Sequence, residues 1–316
     1  MSGTAVMAMA YGTPATLAEL EPYYTHIRCG RPPAPELLIE LRERYEAIGG
    51  RSPLLEITRA QADGLRAALR AAGHREVEVV VGMKHAPPFI EDAARQLAAA
   101  GVDRVVGLVL APHYSSMSVG EYAARAATAL GEGPAGPSFA MVRSWATARG
   151  YVAWLANAVH AALAQLRAAA ARAEVVFTAH SLPERIVAAG DPYPSELAAT
   201  AEAVARIAGL ERWSVAWQSA GRTADPWIGP DILEALPKIA AAGASGVVVC
   251  PAGFIADHLE VLYDLDIEAE ARVVLADAPS TGYVFNLGHG VLPDTPPEVP
   301  GRLVELVHEH ALEAAR

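Results

Sequence analysis

Gly246-Val-Val-Val-Cys250 runs into Pro251-Ala-Gly-Phe254, and a helical pattern follows from Asp257 to Glu268. The order is an apolar strand, a tight turn and a helix. Val105–Leu110 runs in the same way into Ala-Pro-His113-Tyr and a helix at Val119. Further short β-branched runs are Ala5–Ala10, Val77–Val81, Phe139–Val142, Val175–Thr178 and Ser214–Gln218. They alternate with helical patterns near 34–48, 58–72, 89–100, 119–130, 152–172, 194–207 and 230–241. The strands are apolar throughout rather than alternating, so both sheet faces are covered, as in parallel sheets. Strand–helix alternation predicts an α/β fold. The similarity of the halves predicts two doubly wound domains, 1–155 and 156–270, with a cleft between them. Ligands of such sheets bind beyond the carboxyl ends of the strands. There the chain carries Tyr11-Gly-Thr-Pro14, Gly82-Met-Lys84-His85, Pro112-His113-Tyr114, Thr178-Ala-His180-Ser, Gln218-Ser219 and Pro251-Ala-Gly253.

Within the helix after Cys250, Glu260, Asp264 and Glu268 stand at i, i+4 and i+8. That spacing sets three carboxylates in one row, where like charges repel. No Lys or Arg follows until Arg272, and Phe254, Ile255, Leu259, Leu262 and Tyr263 surround the row. It reads either as a solvated face or as a path for a metal ion that offsets the repulsion.

Bulk composition narrows the classes. The chain has 316 residues, 52% of them hydrophobic and 19% charged, which fits a globular protein of two ordinary domains. A net charge of −11 argues against non-specific nucleic-acid binding. Lys84 and Lys238 are the only lysines, so sites for planar anions fall to Arg. Cys29 and Cys250 form no CxxC pattern, which argues against a disulfide framework, a zinc knuckle or a Cys-ligated Fe–S cluster. The N-terminus lacks signal-peptide character and no apolar run is long enough to span a bilayer, so a soluble cytoplasmic protein is expected.

His180 ends an apolar strand and precedes Ser-Leu-Pro. A histidine there is either a satisfied loop residue or, paired with Glu260, a proton acceptor or metal ligand. Gly-x-Ser-x-Gly, Walker A and Gly-x-Gly-x-x-Gly motifs are absent, which weighs against hydrolases and nucleotide enzymes. His85 and His113 stand alone in the sequence. Between Pro22 and Arg59 lie Arg28, Arg31, Arg42, Arg44, Arg51 and Arg59 among Tyr and Pro. This is either a solvated surface with Glu partners or a lid suited to a flat ligand with carboxylate tails.

Several stretches resemble the ferrochelatase family: MAYGTP (9–14), YYTHIRCGRPP (23–33), ELRERYEAIGGRSPL (40–54), GMKHAPPFIEDA (82–93), LAPHYSSMSVGEY (110–122), TAHSLPERI (178–186), GDPYP (190–194), WQSAGRTADPWIGPD (217–231) and GFIADHLEVLYDLDIE (253–268). They occur in order over about 1–268, and the YGTP opening is similar to the coproporphyrin type. The resemblance implies insertion of Fe²⁺ into coproporphyrin III, or into protoporphyrin IX as the close alternative, by a monomer. It also implies iron as substrate, with no tightly bound cofactor. His180 and Glu260 match the family's inner metal site. Asp264 and Glu268 match an acidic ladder on a helix with a π-type distortion, and Tyr11 matches a residue at the porphyrin face. Arg28, Arg31, Arg44, Ser52 and Tyr122 match positions around the macrocycle, its propionates or an outer metal site. Cys29 departs from relatives that have another Arg there. Two pyrrole protons must leave as the metal enters, which calls for a neutral His or a carboxylate acceptor.

From about Glu270 the pattern changes. Phe285–Glu298, FNLGHGVLPDTPPE, resembles the C-terminus of uroporphyrinogen decarboxylase, with His289 matching that family's His. Residues 271–316 are thus expected as a foreign tail, with a strand near Arg272–Leu275, a loop, and a helix at Val299–Ala314. One βα unit cannot build a barrel active site. The alternative function is a porphyrin- or haem-binding chimera that its tail has disabled.

Overall fold

The computed structural model describes residues 3–131, 136–166, 172–221, 223–269 and the strand 283–286. The chain divides into two compact units. The first runs to Trp145, apart from Ala47–Gly49; the second holds those three residues and the chain from Ala146. The break thus falls at the head of the long helix, ahead of the boundary read from sequence.

In the first unit β1 (Thr4–Ala10) is followed by α1 (Leu20–Ile27), α2 (Pro35–Ala47) and α3 (Leu54–Ala71). Then come β2 (Glu78–Met83), α4 (Ile90–Ala99), β3 (Arg104–Val109), α5 (Val119–Leu130) and β4 (Ser138–Val142). The strands form one parallel sheet in the order β2-β1-β3-β4. Alternation along β1 divides its side chains between two cores. Ala5, Met7 and Met9 pack with Ile90, Leu97, Val119 and Leu130 of α4 and α5. Val6 and Ala8 pack with Ala62, Leu65 and Leu69 of α3. Each fully buried Leu, Ile or Met contributes about 1.5–3 kcal/mol, so the sheet is held from both faces, as expected of a doubly wound domain.

The second unit repeats the plan. After α6 (Arg149–Leu166) come β5 (Ala173–His180), α7 (Arg185–Ala188), α8 (Tyr193–Ala208), β6 (Trp213–Gln218), α9 (Ile232–Ala241), β7 (Gly246–Cys250) and α10 (Leu259–Leu262). A π-helical segment, Asp264–Ala269, follows, and then β8 (Tyr283–Asn286). The sheet order β6-β5-β7-β8 is the first unit's order shifted by four strands, again all parallel. The two proline-containing turns compared in the sequence, Ala111-Pro112-His113 and Pro251-Ala-Gly253, follow β3 and β7, which hold the same place in their sheets. That agreement supports the predicted likeness of the halves.

Three sequence expectations change. The helix read from Asp257 to Glu268 is broken: α10 spans one turn and the π segment continues from it. Glu268 N–H donates to the Tyr263 carbonyl five residues back at 2.8 Å, and Ile267 N–H reaches the same carbonyl at 3.3 Å. Within the π segment Leu265 packs into the core of Val176, Ala216, Ile239, Val247 and Val249. Second, Tyr283–Asn286 is a strand, not part of a loop, and it pairs with β7 through Gly246–Val249. The expected strand at Arg272–Leu275 and helix at Val299–Ala314 lie outside the described residues. Third, Leu20–Ile27 is helical, a helix the sequence reading did not assign.

Candidate active site

His180 is the last residue of β5 and sits in register with Gln218, the last residue of β6. Its backbone carbonyl accepts from the Tyr193 hydroxyl at 3.0 Å. Gly253, in the turn after β7, passes so close to β5 that a Cβ would lie 2.5 Å from Ala179 Cβ. Its N–H donates to the Thr178 carbonyl at 2.9 Å. Glycine is required there because two backbones meet without room for a side chain.

Opposite His180, within the same unit, lies Glu260. His180 Nε2 is 3.4 Å from Glu260 Oε1, and the side chains are 31% and 32% exposed. The other ring nitrogen, Nδ1, makes a close hydrogen bond to the Ser181 carbonyl. Both ring nitrogens therefore point at acceptors, an arrangement that only an imidazolium satisfies with two N–H donors. Burial alone would lower the His180 pKa. The Glu260 charge and hydrogen bond, the Ser181 carbonyl and Asp264 outweigh burial and raise it to about 9. The sequence reading asked for a neutral His or a carboxylate as proton acceptor; with its pKa raised, His180 favours the imidazolium at neutral pH, which leaves the carboxylate of Glu260 as the ready acceptor.

Glu260 has a second imidazole beside it, which sequence reasoning missed. His258 Nε2 is 3.6 Å from Glu260 Oε2. His258 caps α10, with Nδ1 accepting from Val261 N–H at 3.3 Å. That bond puts the ring proton on Nε2, toward Glu260. Burial lowers the His258 pKa despite Glu260, so this ring is neutral. The only sequence signal was the polar residue two places before Glu260.

Behind this pair the acid row is anchored at two points. Asp264 Oδ2 accepts a close hydrogen bond from the Ser219 hydroxyl. The Glu260 backbone carbonyl accepts from Gln218 Nε2 at 2.9 Å, and Gln218 Oε1 accepts from the Thr178 hydroxyl at 2.8 Å. Asp264 and Glu268 both belong to the π segment, so the row carries the distortion that the family resemblance implied. The sequence reading left these acids without partners along their helix; the structure sets His180 and His258 beside Glu260 and Ser219 beside Asp264.

In the first unit Tyr11 follows β1 and is 40% exposed. Its ring centroid is 4.6 Å from His85, and Lys84 Nζ is 6.0 Å from its centre. His85 does not stand alone, as it did in sequence. Its Nδ1 is 3.0 Å from Nδ1 of His26. Burial, with Lys84, His26 and Arg125, pushes the His85 pKa down to about 3. Lys84 is buried, pairs with Glu121 and lies 5.2 Å from the ring centre of Tyr122. Tyr122 is itself part of the core. Arg28 ends α1, 5.9 Å from the Tyr24 ring, and Arg31 Nε donates to the Arg28 carbonyl at 3.4 Å. Arg44 is in the last turn of α2. Ser52 is buried, and its hydroxyl accepts from Leu54 N–H at 3.3 Å at the head of α3. The structure thus groups Tyr11 with Lys84, His85 and Tyr122, and Arg28 with Arg31. Among the described residues, no three His, Cys, Asp or Glu side chains form a closed metal cage, and no helix is long and apolar enough to cross a membrane.

The sequence profile of ferrochelatase matches residues 3–289. The chain belongs to the ferrochelatase family. A ferrochelatase from Herpetosiphon aurantiacus is 43% identical over 270 residues, 85% of this chain and 88% of that one. A coproporphyrin III ferrochelatase from Anoxybacillus flavithermus is 45% identical over 271 residues, 84% and 85% of the two chains. One from Geobacillus kaustophilus is 41% identical over 290 residues, 89% and 92%. Among solved structures, the sirohydrochlorin chelatase SirB from Bacillus subtilis subspecies spizizenii, in complex with cobalt, aligns with 97% of this chain and 94% of its own. At a TM-score of 0.50 and 13% identity that likeness concerns the fold alone. The ferrochelatase match also moves a boundary. It runs past Glu268, where the motif reading ended, through β8 to residue 289.

Proposed function

We propose that this ferrochelatase inserts Fe²⁺ into coproporphyrin III, with His180 and Glu260 as the groups that meet both the metal and the pyrrole protons. The observation that carries the reading is the Glu260 carboxylate set between His180 and His258 at the head of a π segment bearing Asp264 and Glu268. Carboxylate oxygens suit Fe²⁺ without holding it as tightly as thiolates would hold a softer metal.

The proton account follows from the resting charges. His180 starts as an imidazolium and Glu260 as a carboxylate. Arrival of a divalent cation opposes the imidazolium, and one proton leaves His180 to solvent. The freed Nε2 and the carboxylate then hold the metal. As Fe²⁺ passes to the ring, the two pyrrole N–H protons land on His180 and Glu260. Glu260, the stronger acid, releases its proton and restores the resting pair. Two protons leave per turnover, as replacement of two N–H bonds by the metal requires. His258 orients Glu260 rather than accepting a proton, because its Nδ1 is engaged by Val261 N–H.

Tyr11 borders the macrocycle in this reading, and Arg28, Arg31, Arg44, Ser52 and Tyr122 serve its propionates or an outer metal position. Arg forks match carboxylates in planar pairs. The relatives named for coproporphyrin III favour that ring over protoporphyrin IX. The test follows the Soret band during Fe²⁺ or Zn²⁺ insertion into each porphyrin. Faster turnover of coproporphyrin III is expected. Binding without a Soret shift would indicate a porphyrin-binding protein that no longer turns over, and absence of binding would reject both readings.

A further inference from the structure

Ser219 has a backbone φ of +59°, one of two non-glycine residues in the left-handed region among those described. That conformation costs a residue with a Cβ about 1–2 kcal/mol, and glycine would avoid the cost. A serine held there, at the carboxyl end of β6, is explained by what its side chain does. Its hydroxyl reaches Asp264. The preceding residue, Gln218, is fully buried and spends its amide on two groups of the same site. It accepts from Thr178 of β5 and donates to the Glu260 carbonyl. Two consecutive residues thus hold two successive members of the acid row, one by its backbone and one by its carboxylate. In the π segment Glu268 N–H bonds five residues back rather than four, and π turns are rare and occur mostly as single turns, frequently at functional sites.

We propose that Gln218 and Ser219 are positioning residues for metal delivery, clamping the π segment to β6 so that Glu260 and Asp264 keep a fixed spacing. The inference rests on the reading of Glu260 and Asp264 as metal-handling groups. Neither Gln218 nor Ser219 touches metal or porphyrin; both act through the acids.

The clamp separates from ordinary structural support in one experiment. Ser219→Gly removes the hydroxyl and relaxes the backbone. A merely structural serine would give a lowered melting temperature and an unchanged KM for metal. The clamp gives the opposite: a melting temperature that holds or rises, with the KM for Zn²⁺ or Fe²⁺ raised about tenfold, as expected for loss of one hydrogen bond to a charged group. The kcat at saturating metal and the porphyrin KM should stay within about twofold. Ser219→Asn, which tolerates the left-handed region and restores a donor, should recover most of the metal KM. Gln218→Glu keeps the Thr178 contact but loses the donor to Glu260, and should lower kcat/KM for metal about tenfold with unchanged porphyrin binding. Calorimetric titration of the porphyrin-free protein with Zn²⁺ should show the same order of affinities. If Asp264→Asn weakens metal use and the Ser219 and Gln218 variants do not, the clamp is refuted and the site reading stands. If none of the variants, Asp264→Asn included, changes metal use, the site reading fails with it.

Discussion

Glu260 keeps His180 charged: the carboxylate oxygen 3.4 Å from Nε2 is the main group that raises the imidazole pKa against its burial, to about 9. With His180 in its proposed role as a metal ligand, the metal and the proton compete for the same nitrogen. In the porphyrin-free protein, apparent Zn²⁺ affinity should climb about tenfold per pH unit while His180 remains protonated. The rise should level off near pH 9, where the proton leaves unaided. Glu260→Gln removes the main cause of the upward shift and should move the break to lower pH. Calorimetric titrations between pH 6 and 8 test this, and an affinity independent of pH would refute it.

The same shift has a stability consequence. The folded-state pKa lies above the ordinary histidine value of 6.5, so its stabilisation is complete below about pH 6.5 and is lost as pH rises through about 9. The melting temperature of the wild type should fall across that window more steeply than that of Glu260→Gln. Parallel curves for the two proteins would show that the pair does not titrate as described.

His180→Ala should abolish metal insertion while the porphyrin still binds, since the proposed porphyrin contacts lie on residues other than His180. In the proposed role His180 is both metal ligand and proton acceptor, and loss of both predicts a fall in kcat of at least about 100-fold. Soret-shift kinetics measure turnover, and quenching of protein fluorescence measures binding. Turnover at the wild-type rate would remove His180 from the chemistry.

Most of the fold was legible because the signals were local and strong. Uninterrupted apolar runs with Gly and Pro at their ends marked seven of the strands, and Val119–Leu130 was read with the bounds it has in the structure. His180 and Glu260 were singled out from their places at strand and helix ends, and the structure sets them 3.4 Å apart. What escaped was set by tertiary contacts. The π segment was invisible because acids at i, i+4 and i+8 fit an α-helix equally well. His258 was missed because its role as a cap depends on where α10 starts. The protonated state of His180 depends on a carboxylate 80 positions away. Tyr283–Asn286 read as loop because glycine and proline crowd the residues after it, although it completes the sheet beside β7.

Gly253→Ala should damage both stability and catalysis. The new Cβ would lie 2.5 Å from Ala179 Cβ and 2.8 Å from Ala179 Cα, next to His180. Relieving such a contact forces β5 and the turn after β7 apart, at a cost of about 1–3 kcal/mol. For a domain of 150–250 residues that corresponds to a fall in melting temperature of several degrees, about 2–4 °C per kcal/mol. The displaced strand end should also lower kcat more than it changes the porphyrin KM. A variant with wild-type melting and turnover would show that the turn has slack.

Acid should destabilise the first unit through His113. This residue is almost fully buried in the turn after β3, and burial alone pushes its pKa down to about 3. A depressed histidine pKa means that the unfolded chain takes up a proton which the folded protein refuses. Stability is therefore intact above about pH 6.5 and declines as pH falls toward 3, by up to about 1.36 kcal/mol per pH unit for one such group. His85 has the same sign over the same window, with Lys84, His26 and Arg125 adding to burial. His113→Gln keeps a polar side chain of similar reach and removes one titration. Its urea midpoint should be lower than that of the wild type at pH 7, because packing around the ring is lost. The gap should narrow as pH is lowered toward 4.5, because only the wild type gains the extra proton on unfolding. A gap that stays constant across that range would show that the wild-type imidazole is protonated in the folded state as readily as in the unfolded chain.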